Sequence, residues 1–141
     1  MKKILLIKHG SLGDIISSTS AIYDIRNHYR KDKLIILTMQ KYKSFLEESC
    51  FFDEILIDNR KNFILTILIF KKILLLKFDL IIDLQNSKRT SIYALFLRLF
   101  SKVKINGTGL YSTHRYKSLS KNLPSVIDGL SNQIEILGIK T

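Results

Sequence analysis

Short runs of branched aliphatic residues alternate along the chain with longer stretches in which apolar side chains recur every three or four positions. Lys3–Lys8 (KILLIK), Lys33–Thr38 (KLIILT), Glu54–Ile57, Asp79–Asp83 (DLIID) and Val103–Ile105 belong to the first kind and predict strands. Asp14–Tyr29, Gln40–Glu48, Arg60–Lys77, Lys88–Phe100 and Val126–Leu137 belong to the second and predict helices. Asp14 is placed as the N-cap of the first helix, and Pro124 precedes the last. His9–Gly13 reads as a tight loop and Gly107–Asn122 as a longer one. Strands that are apolar at every position are buried on both faces, which strictly alternating strands are not. With helices between them, the order predicts an α/β fold: a Rossmann-like, doubly wound parallel sheet. Ligands of such sheets sit beyond the strand C-termini, here the loops after Lys8, Thr38, Ile57, Asp83 and Ile105.

Composition narrows the class without naming a function. A chain of 141 residues suits one domain, and 46% hydrophobic residues with one Pro exclude global disorder and low-complexity architectures. A lone cysteine, Cys50, excludes an internal disulfide framework. The apolar run after Met1-Lys2-Lys3 stops at Lys8, too short for a signal sequence, and Lys71-Lys72 interrupts the longest greasy stretch, Phe63–Leu76. These features place the expected protein in the cytoplasm. Net charge is +11, which suits an anionic partner such as an acidic lipid, a phosphorylated small molecule or nucleic acid. An AT-rich genome would also enrich Lys, and the bases are spread along the chain with no Arg block and no RNA-binding aromatic motif. Nucleic acid is therefore not the expected partner. Phe63–Phe70 is apolar all round, fitting burial against the sheet or another domain, or contact with lipid at an interface.

The chemistry concentrates in the loops. Lys8-His9-Gly10-Ser11-Leu12-Gly13-Asp14 joins a buried strand to a helix start, and its glycines allow a sharp turn. The Gly10-x-x-Gly13 spacing is neither GxGxxG nor a P-loop, and an acidic residue at the helix start repels phosphate. Asp14 is either a structural cap or a carboxylate able to take a proton from an incoming hydroxyl. A second cluster, Asp83-Leu84-Gln85-Asn86-Ser87-Lys88-Arg89-Thr90, follows the fourth strand. Its Gln85 and Asn86 suit sugar hydroxyls, and Lys88 and Arg89 suit phosphate or carboxylate; a helix-capping turn with solvated bases is the plainer reading. Asn59-Arg60-Lys61 lies beyond the third strand, and His114-Arg115-Tyr116-Lys117 reads as an anion clamp or a solvated loop. His9, His28 and His114 lack metal-ligand spacing, so no metal site is expected.

Taken in order, these pieces resemble the N-terminal domain of the bacterial heptosyltransferases, glycosyltransferase family 9. KILLIKHGSLGDIISSTSAIYDIRNHY is similar to that family's first strand, Ser-Leu-Gly-Asp loop and first helix. Phe52-Asp53-Glu54-Ile55-Leu56 is similar to its acidic-hydrophobic third strand, and FDLIIDLQNSKRTS resembles its Asp-Leu-Gln-Gly pattern, with Asn86 standing in place of Gly. VIDGLSNQIEILGI resembles the helix that leads to a second domain. The resemblance implies half of a GT-B fold and an inverting, metal-free transfer from a nucleotide sugar, ADP-heptose, to the anionic lipopolysaccharide core at the cytoplasmic face of the inner membrane. It casts Asp14 as general base, Ser11 and Gly13 as shaping its loop, and Arg60, Lys61 and Arg89 as holding the acceptor. Residues 1–141 then correspond to a single acceptor-side domain, and the nucleotide-sugar-binding domain is expected outside this chain. No cofactor is implied, the donor being a co-substrate. A rival expectation is a non-catalytic basic half-domain that binds anionic lipid or sugar. A receiver domain is excluded, because Lys8-His9 stands where it needs an acidic pair.

Overall fold

A computed structural model describes residues 1–118 and 125–141. Six parallel strands form one sheet: β1 (Lys3–Ile7), β2 (Lys33–Thr38), β3 (Glu54–Ile57), β4 (Leu80–Asp83), β5 (Lys104–Gly107) and β6 (His114–Arg115), in the order β3-β2-β1-β4-β5-β6. The expected doubly wound sheet is present. The central strand β1 pairs Leu5 with Ile35 on one side and with Ile81 on the other. Helices cover both faces. Leu5, Ile7, Ile35, Leu37 and Ile81 pack beneath α4 (Phe63–Leu76) and α5 (Lys88–Phe100). The alternate residues Ile4, Leu6, Leu34, Ile36 and Ile82 pack beneath α1 (Leu12–Ser17), α2 (Thr19–His28), α3 (Lys43–Ser49) and α6 (Val126–Glu135). Each strand residue thus meets a core whichever way it points, which is why the strands carry no polar alternation.

Several element bounds differ from those expected, each for a local reason. The helix expected over Asp14–Tyr29 is two helices. The Ser18 hydroxyl turns back to donate to the Ile15 carbonyl at 2.8 Å, competing with the helical ladder, and α2 restarts with Ile22 N–H on the Ser18 carbonyl. The N-cap is Ser11, not Asp14: Ser11 Oγ accepts from Asp14 N–H, and Asp14 Oδ2 accepts from Ser11 N–H at 2.8 Å. The Ser-x-x-Asp spacing was a capping-box signal in its own right. Gln40–Glu48 divides into a 3₁₀ turn (Gln40–Tyr42) and α3. The helix α4 starts at Phe63 because Asn62 Oδ1 caps Leu65 N–H at 2.9 Å, which leaves Arg60 and Lys61 in the loop after β3. Within the expected 107–122 loop, β6 adds a sixth strand beside β5; residues 119–122 of that loop, and Pro124, lie outside the described residues. Ser125 caps α6.

The strand order reverses between β1 and β4, whose neighbours lead away in opposite directions. The loops after these two strands, Lys8–Ser11 and Leu84–Ser87, therefore diverge and leave a crevice at the C-terminal edge.

Candidate functional site

Three elements build one wall of this crevice. The turn out of β1 depends on Gly10, whose φ of +96° is open to glycine, and a Cβ there would sit 2.6 Å from Asp14 Oδ2. Tyr42 Oη donates to the Gly10 carbonyl and braces the turn from α3's side. Gly13 is different: a Cβ would meet nothing nearer than Ser11 Oγ at 3.7 Å, so the turn does not require a glycine there. Asp14 lies exposed in the first turn of α1. Its Oδ2 accepts from both the Ser11 N–H and the Ser11 hydroxyl (3.0 Å), while its Oδ1 makes no hydrogen bond among the described residues. The hydrogen bonds from Ser11, backbone first and then hydroxyl, hold the Asp14 carboxyl below the ordinary carboxylate range, and the Lys8 ammonium pulls the same way.

The opposite wall comes from the turn after β4. Asp83 Oδ1 accepts from Gln85 N–H and Asn86 N–H, each at 3.0 Å, and burial raises its carboxyl above the ordinary value. Asn86 adopts φ +52°, a left-handed conformation that Asn tolerates nearly as well as Gly. The departure from glycine at this position therefore keeps the turn and adds an amide. That amide donates to Gln133 Oε1 at 2.7 Å and accepts from Thr108 N–H. Gln133 in turn donates to the Asp83 carbonyl and to Asn106 Oδ1, closing a buried amide network behind the crevice. Gln85 Oε1 accepts the His9 N–H at 2.9 Å and so links the two loops directly. Lys8 is buried, with Nζ donating to the Leu84 carbonyl at 3.1 Å; burial lowers its pKa against the pull of Asp14 and Asp83.

The crevice holds an open cleft of about 640 Å³, lined by Lys8 and Asp14 from the first wall, Gln85 and Asn86 from the second, and Tyr116, Lys117 and α6. Of the sequence motif at 114–117, Lys117 and Tyr116 reach this cleft, whereas Arg115 Nε is taken by the Thr108 carbonyl at 2.9 Å.

A second polar cluster occupies the same edge of the sheet on the α4–α5 side. Its centre is Asp58, fully buried just past β3 and unremarked in the sequence. Asp58 Oδ2 accepts the Tyr93 hydroxyl at 2.6 Å and lies 3.4 Å from His9 Nε2, and its Oδ1 meets Arg89 Nη2 at 3.3 Å. Arg89 also reaches Thr66 Oγ1 and lies over the Tyr93 ring. Burial, followed by the charge of Arg60, pushes the His9 imidazole down to about 4, so the ring is neutral at physiological pH.

The expected site residues thus fall into two groups. Ser11, Gly13, Asp14 and Gln85 belong to the loops that border the cleft. Arg89 is engaged by Asp58, while Arg60 and Lys61 are exposed in the loop after β3. His9 lies between the groups, its N–H on Gln85 and its ring Nε2 3.4 Å from Asp58. Asp58, Tyr93 and His9 went unnoticed as a set because they are far apart in sequence. The one available signal was an acidic residue at the end of an apolar strand. Among the described residues no three His, Cys, Asp or Glu side chains group as metal ligands.

Against known proteins, no protein-family model matches the sequence, and no curated protein sequence matches it. Solved structures do match. A family 9 glycosyl transferase from Veillonella parvula superposes with a TM-score of 0.78 at 21% identity, over 99% of this chain and 42% of that one. The E. coli heptosyltransferase WaaC, solved with ADP, gives 0.73 at 12% identity, over 98% of this chain and 48% of its own. E. coli ADP-heptose lipopolysaccharide heptosyltransferase II gives 0.71 at 15% identity, over 93% and 40%. The chain has the α/β fold found in these GT-B-type glycosyltransferases, and it spans less than half the length of each.

Proposed function

We propose that this chain is the acceptor-side half of an inverting glycosyltransferase of the heptosyltransferase kind, and that Asp14 is its general base. The observation that carries the reading is the state of the Asp14 carboxylate. One oxygen is fixed by Ser11, the other has no partner among the described residues, and the whole group stands at the lip of the cleft where the strand order reverses. Its lowered pKa keeps it ionised at neutral pH. An acceptor hydroxyl placed in the cleft would attack the anomeric carbon of the sugar and pass its proton to Asp14 Oδ1, while the nucleoside diphosphate leaves with the bonding electron pair. Ser11 holds the carboxylate in one orientation. Gln85, its carbonyl oxygen committed to His9, keeps its amide NH₂ for a sugar hydroxyl. Exposed Arg60 and Lys61 suit an anionic acceptor, and the outer edge of Arg89 adds to their charge.

The donor would be a nucleotide sugar, ADP-heptose by similarity to the E. coli proteins, bound largely by residues outside this chain. The acceptor would be the anionic, lipid-anchored lipopolysaccharide core, so the working position is the cytoplasmic membrane face. No helix among the described residues is long and apolar enough to cross a membrane. The test is transfer from ADP-heptose to heptose-free core lipid by the full native polypeptide, with and without Asp14→Asn. The variant preserves the acceptor oxygen that Ser11 needs, so the unfolding midpoint should hold while kcat/KM falls about 10²–10⁴-fold. Retention of the rate within a few-fold would remove Asp14 as base. Tight binding of core lipid with no transfer by the unsubstituted protein would establish the non-catalytic module instead.

A further inference from the structure

The outer surface of α4 and α5 is the least explained part of the molecule. A soluble domain normally buries one stripe of each covering helix and exposes a polar one. In α4 only Ile69 and Ile73 are buried, and the outward rows read Phe63–Ile67–Lys71–Leu75 and Ile64–Leu68–Lys72 at four-residue spacing. Phe63, Ile64 and Leu75 are each about 70% exposed or more (77%, 69% and 70%). The neighbouring α5 repeats the pattern with Lys88–Ile92–Phe96–Phe100, and Leu99 is 67% exposed beside them. Between the two helices runs a groove of about 300 Å³ whose lining, Thr66 apart, is apolar. Scattered exposed apolar residues need no explanation, but a continuous double row along two helices does.

The charge on this face is one-sided. Residues 59–78 and 84–104 hold ten of the chain's 23 bases and none of its 12 carboxylates. Of these bases Lys61, Lys71, Lys72, Lys77, Lys88 and Lys102 are exposed. The nearby exposed Asp79 is a single carboxylate against these bases, and Asp83 is buried at the cleft. Lysines at the middle and ends of apolar rows lay their methylenes along the greasy surface and lift their ammonium groups to its rim.

We propose that the α4–α5 face docks on an anionic phospholipid bilayer, with the exposed Phe, Ile and Leu side chains entering the interfacial zone and the lysines meeting lipid phosphates. Charge complementarity selects this occupant. Stacking two copies of the face about a two-fold axis would set lysine against lysine with no carboxylate to relieve them. A second domain closing over the cleft would meet the C-terminal edge of the sheet. It would reach the N-terminal ends of α4 and α5 but leave the rows running about 20 Å away from that edge uncovered. A bilayer satisfies both the area and the sign of the charge. The proposal deepens the reading of a lipid-anchored acceptor, since a chain lying on this face holds its cleft edge beside the membrane. It stands on the helices and not on Asp14.

The experiment is co-sedimentation of the full native polypeptide with vesicles of phosphatidylethanolamine and phosphatidylglycerol, set against vesicles of phosphatidylcholine. Binding should be at least tenfold stronger to the anionic vesicles and should weaken with salt. Lys71→Glu/Lys72→Glu should lower it about tenfold or more, and Leu68→Asp/Leu99→Asp should abolish it. All four side chains are exposed, so thermal unfolding should be little changed, and Asp14→Asn should bind as the parent does. Equal partition onto neutral vesicles, or none onto either, would overturn the proposal, as would unaltered binding by Leu68→Asp/Leu99→Asp. A dimer in solution that the same double variant dissociates would overturn it in favour of a second copy. Loss of transfer with binding intact would touch only the catalytic reading.

Discussion

Two carboxylates stand at the same edge of the sheet, Asp14 after β1 and Asp58 after β3, and their surroundings are opposite. Asp58 is buried and both its oxygens are occupied, by Tyr93 and Arg89, with His9 alongside. Asp14 is exposed, and among the described residues only one of its oxygens is held. A base needs a lone pair within reach of a substrate, and a fully buried carboxylate is out of that reach. Asp58 therefore reads as the fastening between β3, α4 and α5, and Asp14 as the group left for chemistry. The Arg89 guanidinium shows the same division. Sequence position makes it an anion ligand, yet its Nη2 is engaged by Asp58 and Thr66.

The comparison breaks most readily at Asp58. Asp58→Ala removes the partner of Arg89 and leaves the buried Tyr93 hydroxyl unpaired, which should cost about 4 kcal/mol in urea unfolding. Asp14→Ala should shift the same transition far less, and the reverse order would exchange the roles assigned to the two residues. Acid sharpens the contrast next. The folded state keeps His9 neutral until pH falls to about 4, whereas in the unfolded chain the ring takes a proton near 6.5. Between those values the unfolded state binds the extra proton, so stability should drop as pH falls, by about 3 kcal/mol in all. His9→Gln should flatten that slope, and a slope that persists would place the titrating group elsewhere. The smallest contrast lies within the Asp14 loop. Gly10→Ala forces a side chain onto a left-handed backbone and against the Asp14 carboxylate, and should destabilise by about 2 kcal/mol. Gly13→Ala makes only an ordinary contact with Ser11 Oγ at 3.7 Å within a helix and should be neutral or stabilising by up to about 1 kcal/mol. Equal costs at the two glycines would mean that the turn is shaped differently.

The same pairing separates the two faces of the sheet. Beneath α1, α2 and α6 the chain follows amphipathic expectation, burying Ile15, Ile22, Ile25 and Ile134. Beneath α4 and α5 the burial is equally good, but the outer side stays apolar. That outer surface was visible in the composition of Phe63–Phe70, and its continuation onto α5 was not, because the two helices meet only in the fold.

Much of the architecture was legible residue by residue. Unbroken Ile/Leu runs announce doubly covered parallel strands, and their C-terminal loops mark where ligands bind, because these properties arise from periodicity and backbone sterics within a few residues. The capping box at Ser11-Leu12-Gly13-Asp14 was equally local. What the tertiary structure alone decided was which polar atoms remain free. Asp58 is satisfied from 35 residues away by Tyr93, His9 is tied 76 residues away to Gln85, and Gln133 closes on Asp83 from 50 residues away. The sixth strand likewise exists only because β5 offers its edge to His114–Arg115. Hydrogen-bond saturation depends on partners brought together by packing, so no window of sequence distinguishes the carboxylate that fastens the sheet from the one left open to a substrate.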